Sequence, residues 1–423
     1  MKLVLRKYNK STFLVLGTIL LAFLLNFFGE ILNGLFLIGF TDELGILFIL
    51  ALGITICFAS KRLIVYQKEF IIIYLFLSLI YFLFYFETLV SFLYEYYKLM
   101  IFAVFIPAFR YFNKKNIFDL YKILQPLFFT VLTVNLVFIA LQYITNNQIL
   151  EIIGYNELRV SGWTKVGRYT GLFDVGTLGA TALLMLLFNE LFVTKKDNQY
   201  YIFTIIAILS IIFSSSKTCY IIFLLWLVIY FKKVLFKHLL KIIIAITVFL
   251  SVIFFYTRDA IFSKINQYSY FFDNFEYARK INLGVVEMRA MFWAQSIKII
   301  KENPFGLGLG TFGDASAKYN VNAYRMPSNM WPERYVYLSD SSLSHILAEQ
   351  GIICILYFLL ILTPLYYVHK ERKKFVYMLM AFYFIQIPFT MGFSAGTWPL
   401  LFALIYAIFY YDKKLNNDTS TSV

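Results

Sequence analysis

The chain is built from long apolar runs separated by short clusters of charge. Twelve of these runs approach the roughly 20 helical residues needed to cross a hydrocarbon layer about 30 Å thick. They cover 13–29, 44–60, 70–87, 90–110, 125–145, 171–193, 199–213, 218–231, 239–256, 341–368, 375–392 and 398–411. Within each run the apolar residues are continuous. A membrane barrel would alternate apolar and polar positions, so the pattern predicts helices. The runs beginning at 199 and 218 are short and are expected to tilt or thin the bilayer locally. The expected fold is an all-α polytopic membrane protein of about 12 transmembrane helices.

Charge fixes the expected orientation. Lys2, Arg6, Lys7 and Lys10 precede the first run, and Lys61, Arg62 and Lys68 follow the second. Arg110, Lys114, Lys115 and Lys122 follow the fourth, and Lys195 and Lys196 the sixth. Lys232, Lys233, Lys237 and Lys241 follow the eighth, Lys370, Arg372, Lys373 and Lys374 the tenth, and Lys413 and Lys414 the last. With twelve crossings, all of these fall on one side. The short loops opposite carry a single basic residue, Lys217. The positive-inside rule then places both termini in the cytoplasm. Residues 1–256 form an N-terminal nine-span region and 257–339 a large extracytoplasmic segment. Residues 340–411 form a three-span region, and 412–423 a disordered cytoplasmic tail. The net charge of +14 is thus accounted for by membrane topology and gives no reason to expect nucleic acid. Composition agrees, because 61% hydrophobic and 15% charged residues leave too few polar groups to wrap a soluble core. The first run lacks a small-residue cleavage site after it and reads as a span, not as a cleaved signal.

Cys57, Cys219 and Cys354 all fall in or at the ends of apolar runs, so neither a disulfide nor a metal cluster is expected of them. No DxD motif and no carboxylates paired at metal spacing occur, and no cofactor or metal is predicted. The two outer segments, 146–170 and 257–339, carry many basic residues, Arg159 among them. Long outer segments escape the positive-inside rule. Their charges read either as a solvated surface or as a site for an anion. Inside the longer segment, 285–303 has helical periodicity, with Val285, Met288, Phe292 and Ile299 opposed by Glu287, Lys298 and Lys301. Asn303-Pro304 ends this helix. The string Gly306-Leu-Gly308-Leu-Gly310 follows a helix and lies outside the cell, so it reads as a tight backbone turn packed close to something and not as a nucleotide loop.

Three local patterns then line up. Arg168-Tyr-Thr-Gly171-Leu-Phe173 stands at the outer start of the sixth run. Arg289-x-x-x-Trp293 continues into Glu302-Asn-Pro304-x-Gly306-x-Gly308-x-Gly310-Thr-Phe312. Asp340-Ser341-Ser342-x-x-His345, with Glu349 and Gly351, enters the next long run. In this order and topology the chain resembles the O-antigen polymerase and O-antigen ligase superfamily, specifically between about residues 160 and 370. The first motif departs from the family at Val175-Gly176, where Pro-Asn is common. Asp340-Ser341 stands where ligases commonly have His-Asn, which favours a polymerase of O-antigen or capsule over a ligase. The resemblance implies a membrane glycosyltransferase whose donor is a glycan on polyprenyl diphosphate. Membrane lipids, a chain-length regulator and a flippase of the same pathway are its implied partners.

Such a reaction has two needs. The departing lipid diphosphate must be held by positive charge, for which the arginine fork is best suited. Arg168 and Arg289 are the candidates, and Arg168 is expected to sit above a helix N-terminus. Alone, Arg168 reads equally as an interfacial anchor that snorkels to headgroups, and Arg289 as a surface charge. The acceptor hydroxyl needs a base, and Asp340 and His345 are the candidates. Ser341, His345 and Glu349 are four apart and share a helix face. Glu349 lies about two turns deep and is expected to face a cavity or pair with His345. Arg159, Gly171, Lys217, Trp293 and Glu349 complete the substrate-binding candidates. Glu95 and Lys98 are expected to pair on one helix face or to line the lipid path. A transporter remains the reading from another class. It would show two related halves with matching broken helices, and neither is found.

Overall fold

The computed structural model describes residues 10–29, 32, 44–45, 47–48, 51, 89–93, 95, 114–154, 169–173, 177–192, 198–230, 237, 285–312, 341–355, 359, 373–389 and 400–406. Among these no strand occurs. Nine α-helices organise the described chain: α1 Lys10–Phe27, α2 Lys114–Ile144, α3 Gln148–Ile152, α4 Leu178–Phe192, α5 Asn198–Phe213, α6 Lys217–Tyr230, α7 Val285–Glu302, α8 Ser342–Gln350 and α9 Lys373–Phe389. Residues 400–406 are helical as well. The predicted runs 44–60, 70–87, 90–110 and 239–256 lie wholly or largely outside the described residues, as do most of 257–339 and the tail.

α4 is the axis. It is apolar on all sides, and a helix of that kind belongs in the interior. Its residues are buried without interruption from 178 to 189. α2, α5, α6 and α9 pack around it. Phe188 meets Phe128 of α2 edge-on at 5.1 Å, and Phe128 meets Phe23 of α1 at 6.1 Å. On the other side Tyr383 of α9 stacks on Phe402 at 5.3 Å. The helices around α4 turn apolar side chains outward too. α5 exposes Ile202, Ile205, Leu209 and Ile212, and α6 exposes Ile221, Leu224, Leu225 and Val228. In water each such side chain forgoes about 1.5–3 kcal/mol of burial. Patches of this extent mark a surface made for an apolar partner or lipid.

One described helix segment, Ile123–Ile144, is both long and apolar enough to cross a membrane, with a mean hydropathy of 2.1 over its best window. Only 33% of that window is buried inside the protein, whereas the core helix of a soluble protein would be mostly buried.

Two predicted boundaries are corrected. The run 171–193 becomes helical only at Leu178, and 169–173 form a turn. The helix N-terminus expected beside Arg168 therefore lies farther along the chain. The reason is Gly171, whose φ of +61° breaks the helical path. The run 341–368 is not one continuous helix either. α8 ends at Gln350, Gly351 takes φ +54°, and a 3₁₀ turn spans Gly351–Ile353. Another part of the backbone occupies the space there. The amide of Ile352 donates to the carbonyl of Pro304 at 2.9 Å, and a Cβ on Gly351 would lie 2.7 Å from the carbonyl carbon of Phe305.

Candidate functional site

The site is built where α7, its trailing glycine turn and α8 meet. α8 starts at Ser342 because Ser341 caps it, its side chain accepting the amide of Ser344 at 3.2 Å. α7 packs along α8. Of its predicted amphipathic stripe Phe292 and Ile299 are buried, as is Ser296, while the side chains of Val285 and Met288 are outside those described. The Ser296 hydroxyl donates to the carbonyls of Phe292 at 2.9 Å and Ser344 at 2.7 Å, tying the two helices together. Arg289 lies on α7 three residues before Phe292 and seven before Ser296, and its side chain is outside those described. Trp293 is half-buried.

The glycine string then wraps the C-terminal end of α8. Its amides run along that helix end: Leu307 N–H donates to the carbonyl of Ala348 at 2.9 Å, and Gly308 N–H to that of Glu349 at 2.8 Å. The turn that the sequence predicts is thus present, and what it packs against is α8. The Glu349 side chain closes the arrangement. Its Oε1 accepts Gly310 N–H at 2.8 Å and Phe312 N–H at 3.1 Å. Its Oε2 lies 3.3 Å from His345 Nε2. Both carboxylate oxygens are therefore engaged by protein groups.

A third element enters from far away in the chain. Residues 89–93 and 95 are helical, and Ser91 and Glu95, four apart, share a face. The Ser91 hydroxyl donates to the carbonyl of Gly310. One turn on, Glu95 Oε2 stands 3.7 Å from His345 Nε2. Glu95 is 5% exposed and Glu349 1%, so this is a buried pair of carboxylates with an imidazole between them. The edge of the Phe312 ring lies against the imidazole, with centroids 6.2 Å apart. Sequence spacing foretold the His345–Glu349 geometry but not Glu95, which it set beside Lys98; Lys98 lies outside the described residues. One ligand atom from each of Glu95, His345 and Glu349 falls within 4.8 Å of the others, so this cluster could hold a metal ion. Sequence spacing gave no hint of this, because Glu95 joins the other two only through the fold.

The turn after Arg168 is held by α2. Gly171 N–H donates to Gln142 Oε1 at 3.1 Å and Leu172 N–H to Asn135 Oδ1 at 2.7 Å. Gln142 in turn donates to Asn147 Oδ1 at 3.1 Å. A Cβ on Gly171 would lie 2.6 Å from Asn135 Oδ1, so a larger residue strains both the turn and its anchor. Asn135 and Gln142 were missed in the sequence, although two amides seven apart in an apolar helix are a readable signal. Among the other candidates, Lys217 opens α6 and is exposed. Arg159, Arg168 and Asp340 lie outside the described residues. Cys219 and Cys354 are buried free thiols, and Gln386 of α9 donates to the Cys219 sulfur at 3.1 Å.

Fold and site together define a helical protein with an imidazole held between carboxylates beside a helix that carries an arginine. The family model described as Wzy_C, O-antigen ligase, matches residues 202–359, and this part of the chain is thereby similar to the O-antigen polymerase and ligase superfamily. The match takes in α5 to α8, and with them Arg289, Trp293, His345 and Glu349; the Arg168 turn and Glu95 lie before it. No curated protein matches the chain. Proteins of the matched family are membrane proteins, and the match supports a polymerase- or ligase-type function in surface-polysaccharide assembly, on polyprenyl-linked glycans.

Proposed function

We propose that the protein is a polytopic inner-membrane glycosyltransferase that polymerises polyprenyl-diphosphate-linked repeat units into O-antigen or capsular polysaccharide at the outer face of the membrane. The observation that carries the reading is the junction of α7 and α8 inside the matched region. It brings the Arg289 helix against the helix bearing His345. Arg168 and Arg289 hold the diphosphate, whose departure as an anion needs charge stabilisation and no acid. His345 takes the proton of the acceptor hydroxyl, with Asp340 near the start of the same segment. Arg159, Gly171, Trp293 and Lys217 contribute to binding the glycan and its lipid. A chain-length regulator and a flippase are the expected pathway partners. Ligase activity, transferring the glycan to a lipid or protein acceptor, is the alternative within the superfamily. Asp340-Ser341 in place of His-Asn favours the polymerase.

Deleting the gene tests the choice. Single repeat units should still be made, exported and attached, leaving a surface glycan of one repeat. The measurement is a gel of surface glycan together with mass spectrometry of lipid-linked intermediates. Full-length chains accumulating on the lipid carrier would make the protein a ligase. Single units trapped on the inner leaflet would make it a flippase.

Orientation is tested separately. A cysteine at Ser316 should react with an impermeant thiol reagent in cells stripped of their outer barrier, and one at Asn417 should not. The opposite pattern would invert the topology and put the site on the wrong side for a lipid-linked donor.

A further inference from the structure

We infer that Glu95 is a positioning residue of the transfer site: with Glu349 it clamps the Nε2 edge of His345, so that Nδ1 is the atom that accepts the acceptor's proton. The inference rests on the polymerase or ligase reading above and adds to it a residue outside the family match, together with the identity of the basic atom.

The geometry carries the assignment. Nε2 faces Oε2 of Glu349 at 3.3 Å and Oε2 of Glu95 at 3.7 Å. An ionised carboxylate only accepts hydrogen bonds. A nitrogen facing two carboxylates is therefore the one that carries hydrogen, and in the neutral ring the lone pair is on Nδ1. The Ser–His–Asp arrangement of hydrolases works by the same logic, a buried carboxylate fixing the tautomer and steadying the imidazolium that forms. In this protein two carboxylates share that task, and each is anchored. Glu349 is fixed through Oε1 by the amides of Gly310 and Phe312. The helix of Glu95 is registered one turn earlier by Ser91, bonded to the carbonyl of Gly310. The glycine turn thus sets both clamps at once, and that turn is the continuation of the helix carrying Arg289.

The step balances. The acceptor O–H proton passes to Nδ1 while its oxygen bonds the anomeric carbon. The bond from that carbon to the diphosphate oxygen breaks, and its electron pair leaves on the diphosphate. The imidazolium formed has its positive charge opposite two carboxylates, which stabilises the transition state more than the ground state.

Glu95→Gln is the probing change, because its amide can present N–H to Nε2 and so favour the opposite tautomer. In reconstituted protein supplied with polyprenyl-diphosphate-linked repeat units, kcat should fall on the order of 10²-fold with KM within about threefold. Glu95→Asp should recover part of the loss. Measured on the residual turnover of His345→Gln, Glu95→Gln should add nothing further, since the two act through one another. A fall in KM-determined affinity alone, or a loss in the His345→Gln background as large as in the wild type, would overturn the inference. If Glu95→Gln does not fold, as judged by thermal unfolding in detergent, the cycle is run with Glu95→Asp. A kcat loss confined to the His345 background supports the clamp, and an unchanged kcat overturns it. Loss of wild-type activity in chelator, restored by zinc or manganese, would make the cluster a metal centre instead and also overturn it. Wild-type protein that turns over no lipid-linked repeat unit would defeat the polymerase and ligase reading itself, which is a separate result from an active wild type with an indifferent Glu95→Gln.

Discussion

Arg168→Lys and Arg289→Lys should each abolish long-chain polysaccharide while the protein still accumulates in the membrane. Lysine keeps the charge but loses the planar fork that grips a phosphate through two parallel hydrogen bonds. A side chain that only anchors to headgroups tolerates that exchange, because snorkelling needs a long stem and a charge and no particular geometry. A group that stabilises charge growing on a departing diphosphate does not, and losses on the order of 10²-fold or more are expected. For Arg289 the fold adds a reason. It lies on α7, which Ser296 holds to the backbone of α8, so its backbone is fixed by a packed helix. The check is a chain-length ladder of surface glycan beside an immunoblot of the membrane fraction. Near-normal ladders from both variants would remove the diphosphate clamp.

Glu349 separates structure from chemistry in a different way. Glu349→Ala should lower both stability and activity, because it strips the acceptor from two buried amides, Gly310 and Phe312, and the partner from His345. An unsatisfied buried donor costs about 1–3 kcal/mol, and breaking a buried pair about 3–5 kcal/mol. Glu349→Gln retains an oxygen for the two amides. It should therefore keep most of the stability and still lose activity on the order of 10²-fold, since its amide nitrogen replaces the oxygen beside Nε2. Thermal unfolding in detergent, paired with turnover of lipid-linked repeat units, tells the two variants apart. A Gln variant as unstable as the Ala variant would mean that the charge of Glu349, and not its hydrogen bonding, holds the glycine turn.

Much of the fold was legible because apolar length is a local property. A run such as 199–213 or 218–231 needs no partner to become a helix in an apolar medium, where every backbone group must be satisfied within the segment. α5 and α6 accordingly match those runs to within a residue or so. The amphipathic stripe of α7 and the glycine turn after it were legible for the same reason. So was the meeting of His345 and Glu349, since four residues on a helix is one turn.

Hydropathy overran where a backbone segment packs against a helix end. It read 341–368 as unbroken, while Gly351 turns to let Pro304 and Gly306 approach. It placed a helix start at Gly171, where Asn135 and Gln142 instead hold a turn. In both places apolar residues continue through the break, so no average over a window registers it.

The sequence by itself determined the helical class and the order of the three motifs, because each follows from neighbours in the chain and from the solvent around them. Only the tertiary structure decided what faces His345. Glu95 lies 250 residues before it in the chain. Nothing in the spacing of its own helix points across the molecule, since a carboxylate near Lys98 satisfies every local rule. The packing of residues 89–93 and 95 against the glycine turn, with Ser91 at the Gly310 carbonyl, brings that carboxylate to the imidazole.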